Sequence, residues 1–159
     1  MAVEQIQFPI PVRQLQRVVA DVPTEVLVAL FADRWLVLVS QVGNVGNLFL
    51  ATLDNPDLAF LSPQSPPITV RPLLGGTQDE VLLRLYASQI LQRITAGMAK
   101  VSGMGAPYAE LVQTSGPTPP PLVVGLALKR RMGEGGVLSE ADRTAFNQIL
   151  DCVCECGGW

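Results

Sequence analysis

Glu25-Val26-Leu27-Val28-Ala29-Leu30-Phe31 and Trp35-Leu36-Val37-Leu38-Val39-Ser40-Gln41, separated only by Ala32-Asp33-Arg34, decide the fold class. Both runs are rich in β-branched and aromatic residues, and a short connection between two such runs reads as a hairpin. An antiparallel strand with one wet face alternates apolar and polar side chains, whereas these runs are apolar almost throughout. Leu122 to Leu128 repeats the pattern. Both faces of the central strands therefore require cover.

Toward the N terminus, Leu15 to Ala20 reads as a first strand, closed by a turn at Asp21, Val22 and Pro23, because proline cannot donate to a sheet ladder. Residues 1–14 hold three glutamines and two prolines and read as a flexible extension. They have neither the basic start nor the apolar run of a signal peptide. Toward the C terminus, Gly43-Asn44-Val45-Gly46-Asn47 turns the chain into a fourth strand, Leu48 to Thr52. The tight connection implies antiparallel pairing with Trp35 to Gln41.

Four prolines make residues 54–67 a loop before a fifth strand, Ile68 to Leu73. Thr77-Gln78-Asp79-Glu80 has capping-box spacing, and Tyr86, Ala87, Ile90, Ile94, Gly97, Met98 and Val101 then recur every three or four residues, as on one helix face. Residues 102–121, with three glycines and five prolines, form a second proline-rich loop. Leu122 to Leu128 is a sixth strand. Ser139 with Asp142 opens a second helix, whose inner face is Phe146, Ile149, Leu150 and Val153 and whose stop is Gly157-Gly158.

The predicted fold is α/β of the α+β kind, one domain over residues 15–159: a six-stranded, mainly antiparallel sheet with two helices on one face. Six strands about 4.8 Å apart make a sheet roughly 25 to 30 Å wide, and two helices shield one side of it. A bare apolar face of that size marks a protein interface, so the other face is expected to pack on a second molecule and bury about 800 Å² per partner. The strand residues assigned to this dimer face are Val26, Val28, Leu30, Leu36, Leu38, Val124 and Leu126.

Composition narrows the function. The 159 residues are 48% hydrophobic and 16% charged, with mean hydropathy +0.33, far from a disordered chain. A net charge of −3 gives no reason to bind nucleic acid. Histidine is absent, which removes the commonest general base and metal ligand. The longest apolar stretch, Val26 to Val39, is broken by Asp33 and Arg34 and is too short to cross a bilayer. The three cysteines, Cys152, Cys154 and Cys156, are not a disulfide framework, which points to the cytoplasm, with the nucleus as a second compartment.

Motif by motif, no chemistry assembles. Gly43 to Gly46 lacks the Lys-Ser or Lys-Thr of a phosphate loop and is followed by a strand; Gly133-Glu134-Gly135-Gly136 lacks a spaced fingerprint. Lys129-Arg130-Arg131 reads as a solvated strand end. Cys152 and Cys156 share a helix face but lack the further ligands a zinc site needs. Asp79 and Glu80 are accounted for by the helix dipole. No catalytic, metal or cofactor residues are assigned; the expected protein is not an enzyme.

Three ordered motifs carry a resemblance: Val22-Pro23-Thr24-Glu25-Val26, then Val39-Ser40-Gln41-Val42-Gly43-Asn44-Val45-Gly46-Asn47-Leu48, then Leu73-Leu74-Gly75-Gly76-Thr77-Gln78-Asp79-Glu80. Together they resemble the proteasome assembly chaperone 3 family. The similarity runs from Arg17 to Trp159 apart from the two proline-rich segments, which with the N-terminal extension are departures from the family pattern. The resemblance implies a non-catalytic chaperone, paired with a proteasome assembly chaperone 4-like subunit or with itself. Such a chaperone arranges α-subunits into the 20S α-ring and leaves before the particle matures. Gln41, Asn44 and Asn47 are the candidate α-subunit contact loop, because their amides interrupt an apolar stretch. The alternatives are a small α/β dimer scaffold of a trafficking or signalling complex and, further off, a nucleotide-binding enzyme.

Overall fold

A computed structural model describes residues 10–54, 67–76, 79–101, 119–129 and 138–159. In chain order the elements are β1 (Val12–Val19), β2 (Val22–Leu30), β3 (Trp35–Ser40), β4 (Asn47–Leu53), β5 (Ile68–Leu74), α1 (Glu80–Val101), β6 (Leu122–Ala127) and α2 (Glu140–Gly157). The two apolar runs form the expected antiparallel hairpin, with Leu30 opposite Trp35 and Val26 opposite Val39.

Three local expectations change. β1 begins at Val12, inside the stretch read as an extension, because Val12, Arg13 and Gln14 pair with Ala29, Val28 and Leu27. Residues 1–9 lie outside the described residues. The β1–β2 turn is Ala20-Asp21, both at positive φ (47° and 63°), which is the backbone of a two-residue hairpin turn. Val22 and Pro23 therefore belong to β2, and Pro23 sits in the pair next to the sheet's edge strand.

The larger correction is the sheet order, β1-β2-β3-β6-β4-β5. β3 and β4 are not neighbours: β6 lies between them, parallel to β3 and antiparallel to β4. A six-residue link reaches up to about 20 Å, while skipping one strand requires about 10 Å, so the short connection between β3 and β4 permits either arrangement. The central slot goes to β6, whose Leu122, Val124 and Leu126 are fully buried. A parallel neighbour requires a long crossover, and β4, β5 and α1 supply it.

Both helices lie against one face of the sheet. Leu83, Ala87, Ile90, Leu91 and Ile94 of α1 and Ala145, Ile149, Leu150 and Val153 of α2 join one core cluster with Val26, Val28, Val37, Val39, Phe49, Val124 and Leu126. Each fully buried aliphatic side chain contributes about 1.5 to 3 kcal/mol relative to exposure. Ser139 forms the predicted capping box: Asp142 N donates to Ser139 Oγ (3.2 Å) and Ser139 N donates to Asp142 Oδ2 (2.9 Å). At the other end Gly158, at φ 77°, donates to Cys154 O (2.8 Å) and stops the helix. Thr77 and Gln78 of the other box lie outside the described residues, as do 55–66, 102–118 and 130–137. The ends of the first proline-rich loop meet where Asp54 N donates to Pro67 O (3.0 Å).

Trp159 closes the core beyond α2. Its ring stacks on Trp35 with centroids 5.5 Å apart and planes inclined by 23°. This contact depends on Gly157, because a Cβ there would overlap the Trp159 ring.

Candidate functional site

Strand register determines which residues share the helix-free face. One row crosses the sheet as Val12, Ala29, Leu36, Val123, Leu50 and Arg71; the next as Gln14, Leu27, Leu38, Gly125, Leu48 and Leu74. Leu27, Leu36, Leu38, Val123, Leu48 and Leu50 are each half-buried, and no helix among the described residues packs on them. Val12 and Leu74, at opposite edges, are 51% and 62% exposed. Two adjacent rows thus make an apolar surface over the four central strands, with Gln14 and Arg71 at its opposite edges.

Gly125 sits at the centre of this surface. A Cβ there would run into the Leu38 side chain and come within 3.1 Å of Leu48 Cδ2 and 3.2 Å of Val45 Cγ1. Three side chains therefore lean over bare backbone, and the middle of the face is level rather than ridged.

Only two of the seven residues assigned to the dimer face, Leu36 and Leu38, lie on it. Val26, Val28, Leu30, Val124 and Leu126 point the other way and are at most 3% exposed in the core beneath the helices. The cause is the two-residue side-chain period: in runs apolar on both faces, residue type does not distinguish one parity from the other. The signals that separate them are Glu25, exposed and in phase with Leu27 and Ala29, and Trp35, buried and in phase with Val37 and Val39. That signal adds Leu27, while Val123, Leu48 and Leu50 join the face through the strand register.

The β3–β4 connection holds the three amide residues in unlike roles. The Gln41 side chain is a staple: Nε2 donates to Oγ1 of buried Thr24 (2.9 Å), and Oε1 accepts from Lys129 N (3.1 Å). It joins the ends of β2, β3 and β6. Gly43 N donates to Ser40 Oγ (3.0 Å), which in turn donates to Asn44 O (2.9 Å), so Asn44 is presented on a closed turn. The Asn47 side chain occupies the space a Cβ on Gly75 would need.

Beside this connection lies a cleft of about 250 Å³, bounded by the end of β6 and the first turns of both helices. Its floor includes Leu83, Tyr86, Leu126, Ala145 and Ile149, and Phe146 leans on Tyr86 with ring centroids 4.3 Å apart. Gln41, Asn44, Asn47, Asp79, Lys129 and Asp142 are its polar lining residues, and Asp79 Oδ1 is buried there without a hydrogen-bond partner.

The cysteines are packing groups. Cys152 and Cys156 are buried against the sheet, and Cys156 Sγ faces Val26 O at 3.8 Å. Burial pushes all three thiols above their ordinary range, and Arg17 only partly offsets this at Cys152. α2 is tied to α1 by Arg93 with Asp151 and to β1 by Arg17 with Glu155 (2.9 Å), exposed pairs of small energetic value. Among the described residues no three His, Cys, Asp or Glu side chains cluster as a metal site would require. Gly133 to Gly136, Arg130 and Arg131 lie outside the described residues.

A family model described as Proteasome assembly chaperone 3 matches residues 37–102, the stretch from β3 through α1. Over this stretch the chain is similar to the proteasome assembly chaperone 3 family. The match contains two of the three motifs quoted above, the β3–β4 connection and the approach to α1. Proteasome assembly chaperone 3 of mouse is 35% identical over 79 residues, which are 50% of this chain and 61% of the mouse protein. Its human counterpart is 34% identical over the same length and shares. The matched region thus spans about 61% of the length of these curated relatives. A chain in a crystal structure of a chaperone complex for yeast 20S proteasome assembly superposes with a TM-score of 0.59 at 12% identity, over 92% of this chain and 98% of that one. That likeness shows a shared fold: six strands in one mixed sheet, backed by two helices.

Proposed function

We propose that this protein is a non-catalytic chaperone of 20S proteasome assembly, paired through its helix-free sheet face with a related, proteasome assembly chaperone 4-like subunit or with a second copy of itself. The observation that carries the reading is the coincidence of the family match with an apolar face that no described helix covers. Chaperones that order subunits act by binding several surfaces at once, which raises effective concentration without bond chemistry. In this role the pair arranges α-subunits into a ring and departs before the particle matures. Asn44 and Asn47 contact the α-subunit, while Gln41 positions the connection that carries them. The work takes place in the cytoplasm, and in the nucleus as a second compartment, consistent with three free thiols.

Affinity purification of the tagged chain from cells, followed by identification of co-eluting proteins, tests this. The reading expects 20S α-subunits together with a small sheet-containing partner. Recovery of GTPases or coat proteins without any proteasome subunit contradicts it.

A further inference from the structure

Across the order β1-β2-β3-β6-β4-β5 the strands run up, down, up, up, down, up. The directions are the same read from either edge. A two-fold axis along the strands, between β3 and β6, therefore lays β3 of one copy on β6 of another and β2 on β4, with facing strands running the same way. Sheets packed face to face keep their strands within about 30° of each other, so the stacking is a permitted one.

The register supplies the fit. Leu36 of one copy comes over Val123 of the other, Ala29 over Leu50 and Leu38 over Gly125, unequal sizes each time, as interdigitating layers require. Leu27 over Leu48 is the one like pair in these rows. None of these residues is charged, so shape selects the occupant. Size selects a sheet: six strands about 4.8 Å apart span roughly 29 Å, whereas a helix is about 10 to 12 Å across and leaves most of the face bare.

Gly125 lies beside the axis. In the single chain the Leu38 side chain already bends over it, and Leu48 Cδ2 and Val45 Cγ1 are 3.1 and 3.2 Å from where a Cβ would stand. In the pair, the Leu38 side chains of both copies lie flat across the axis and fill a space that side chains at both 125 positions would overfill. The sheets then close to the usual spacing of about 10 Å.

We infer that the helix-free face takes a second copy of this chain in this two-fold arrangement, and that Gly125 is the residue that lets the two faces close. This rests on the reading of the face as a pairing surface and narrows it to self-pairing.

Sedimentation of the full chain over a range of concentrations, beside Gly125→Ala, tests the glycine. The native chain is expected to self-associate, and Gly125→Ala to do so roughly tenfold or more weakly, because overpacking is introduced twice in each pair. Where Leu38→Ala has vacated the space, adding Gly125→Ala changes association by less than about threefold, the non-additivity of residues in contact. The axis is tested with a short bismaleimide on chains carrying Leu27→Cys, Leu48→Cys or both. Only the double variant is expected to give cross-linked dimer above the native background, because β2 faces β4 of the other copy and neither faces itself. Should Gly125→Ala fail to fold, the cross-linking decides.

Unchanged association in Gly125→Ala, no cross-linked dimer from the double variant, or dimer from a single variant overturns the inference. A native chain that stays single alone yet pairs with a proteasome assembly chaperone 4-like subunit also overturns it and leaves the pairing reading standing. A chain that stays single in both samples overturns both.

Discussion

On the helix side of the sheet, Val28, Val37, Val124 and Phe49 form a row at most 2% exposed; on the other side, Leu36, Val123 and Leu50 form the adjacent row and are only partly buried. The two rows have nearly the same chemistry. They differ in what lies on them: α1 and α2 account for the first, and no described helix accounts for the second. Side-chain type therefore does not mark which face of the sheet the helices cover. Parity along the strand, combined with the number of helices available, does.

The sharpest way to break the comparison is to place a carboxylate on each face. Val124→Asp buries an unpaired charge under both helices, is expected to cost more than about 4 kcal/mol, and abolishes the cooperative thermal transition followed by circular dichroism. Leu38→Asp, one strand away but on the opposite face, leaves the isolated chain folded. If both variants unfold alike, the two faces are equally part of the monomer's core and the distinction fails.

Gly157→Ala probes how tightly the covered side is fitted. The added methyl displaces the Trp159 ring from Trp35, which is expected to cost about 1 to 3 kcal/mol, a few degrees of melting temperature for each. Gln41→Ala removes two hydrogen bonds at the end of the sheet and strands the amide partner on Lys129. A loss of about 1 to 2 kcal/mol in urea unfolding is expected, with α-subunit recovery weakened only in proportion. A large loss of recovery at unchanged stability would make Gln41 a contact rather than a staple.

The smallest effect is a pH slope. Burial holds the Cys152 and Cys156 thiols above their ordinary range, while in the unfolded chain they ionise near about 8.5. Their contribution is complete below that value and is lost as pH rises, because only the unfolded chain sheds these protons there. Melting temperature is expected to fall more steeply above pH 8.5 in the native chain than in a Cys152→Ala, Cys156→Ala double variant. Parallel curves would place the thiols in water.

What could be read from sequence was what is local. The β2–β3 hairpin, the Ser139 box and the helix stripes each depend on residues within a few positions of one another. The insertion of β6 between β3 and β4 depends on a partner more than 80 positions from β3, and the short Gln41–Gly46 link is compatible with it and with its alternative. The face assignment failed for Val26, Val28, Leu30, Val124 and Leu126 because Leu27 and Val123 offer equal apolarity one residue away. The polar clue was Glu25. The β3–β4 connection was placed from sequence, but the engagement of Gln41 by Thr24 and Lys129 joins three strands that sequence alone does not bring together.

The most direct measurement is the solution mass of the full chain by sedimentation, alone and mixed with a proteasome assembly chaperone 4-like subunit, beside the same two experiments on Leu38→Asp. The native chain is expected to sediment as two chains in at least one of the two samples, and Leu38→Asp as one chain in both. A native chain that stays single at high concentration with and without that partner contradicts the assignment of the helix-free face as a pairing surface.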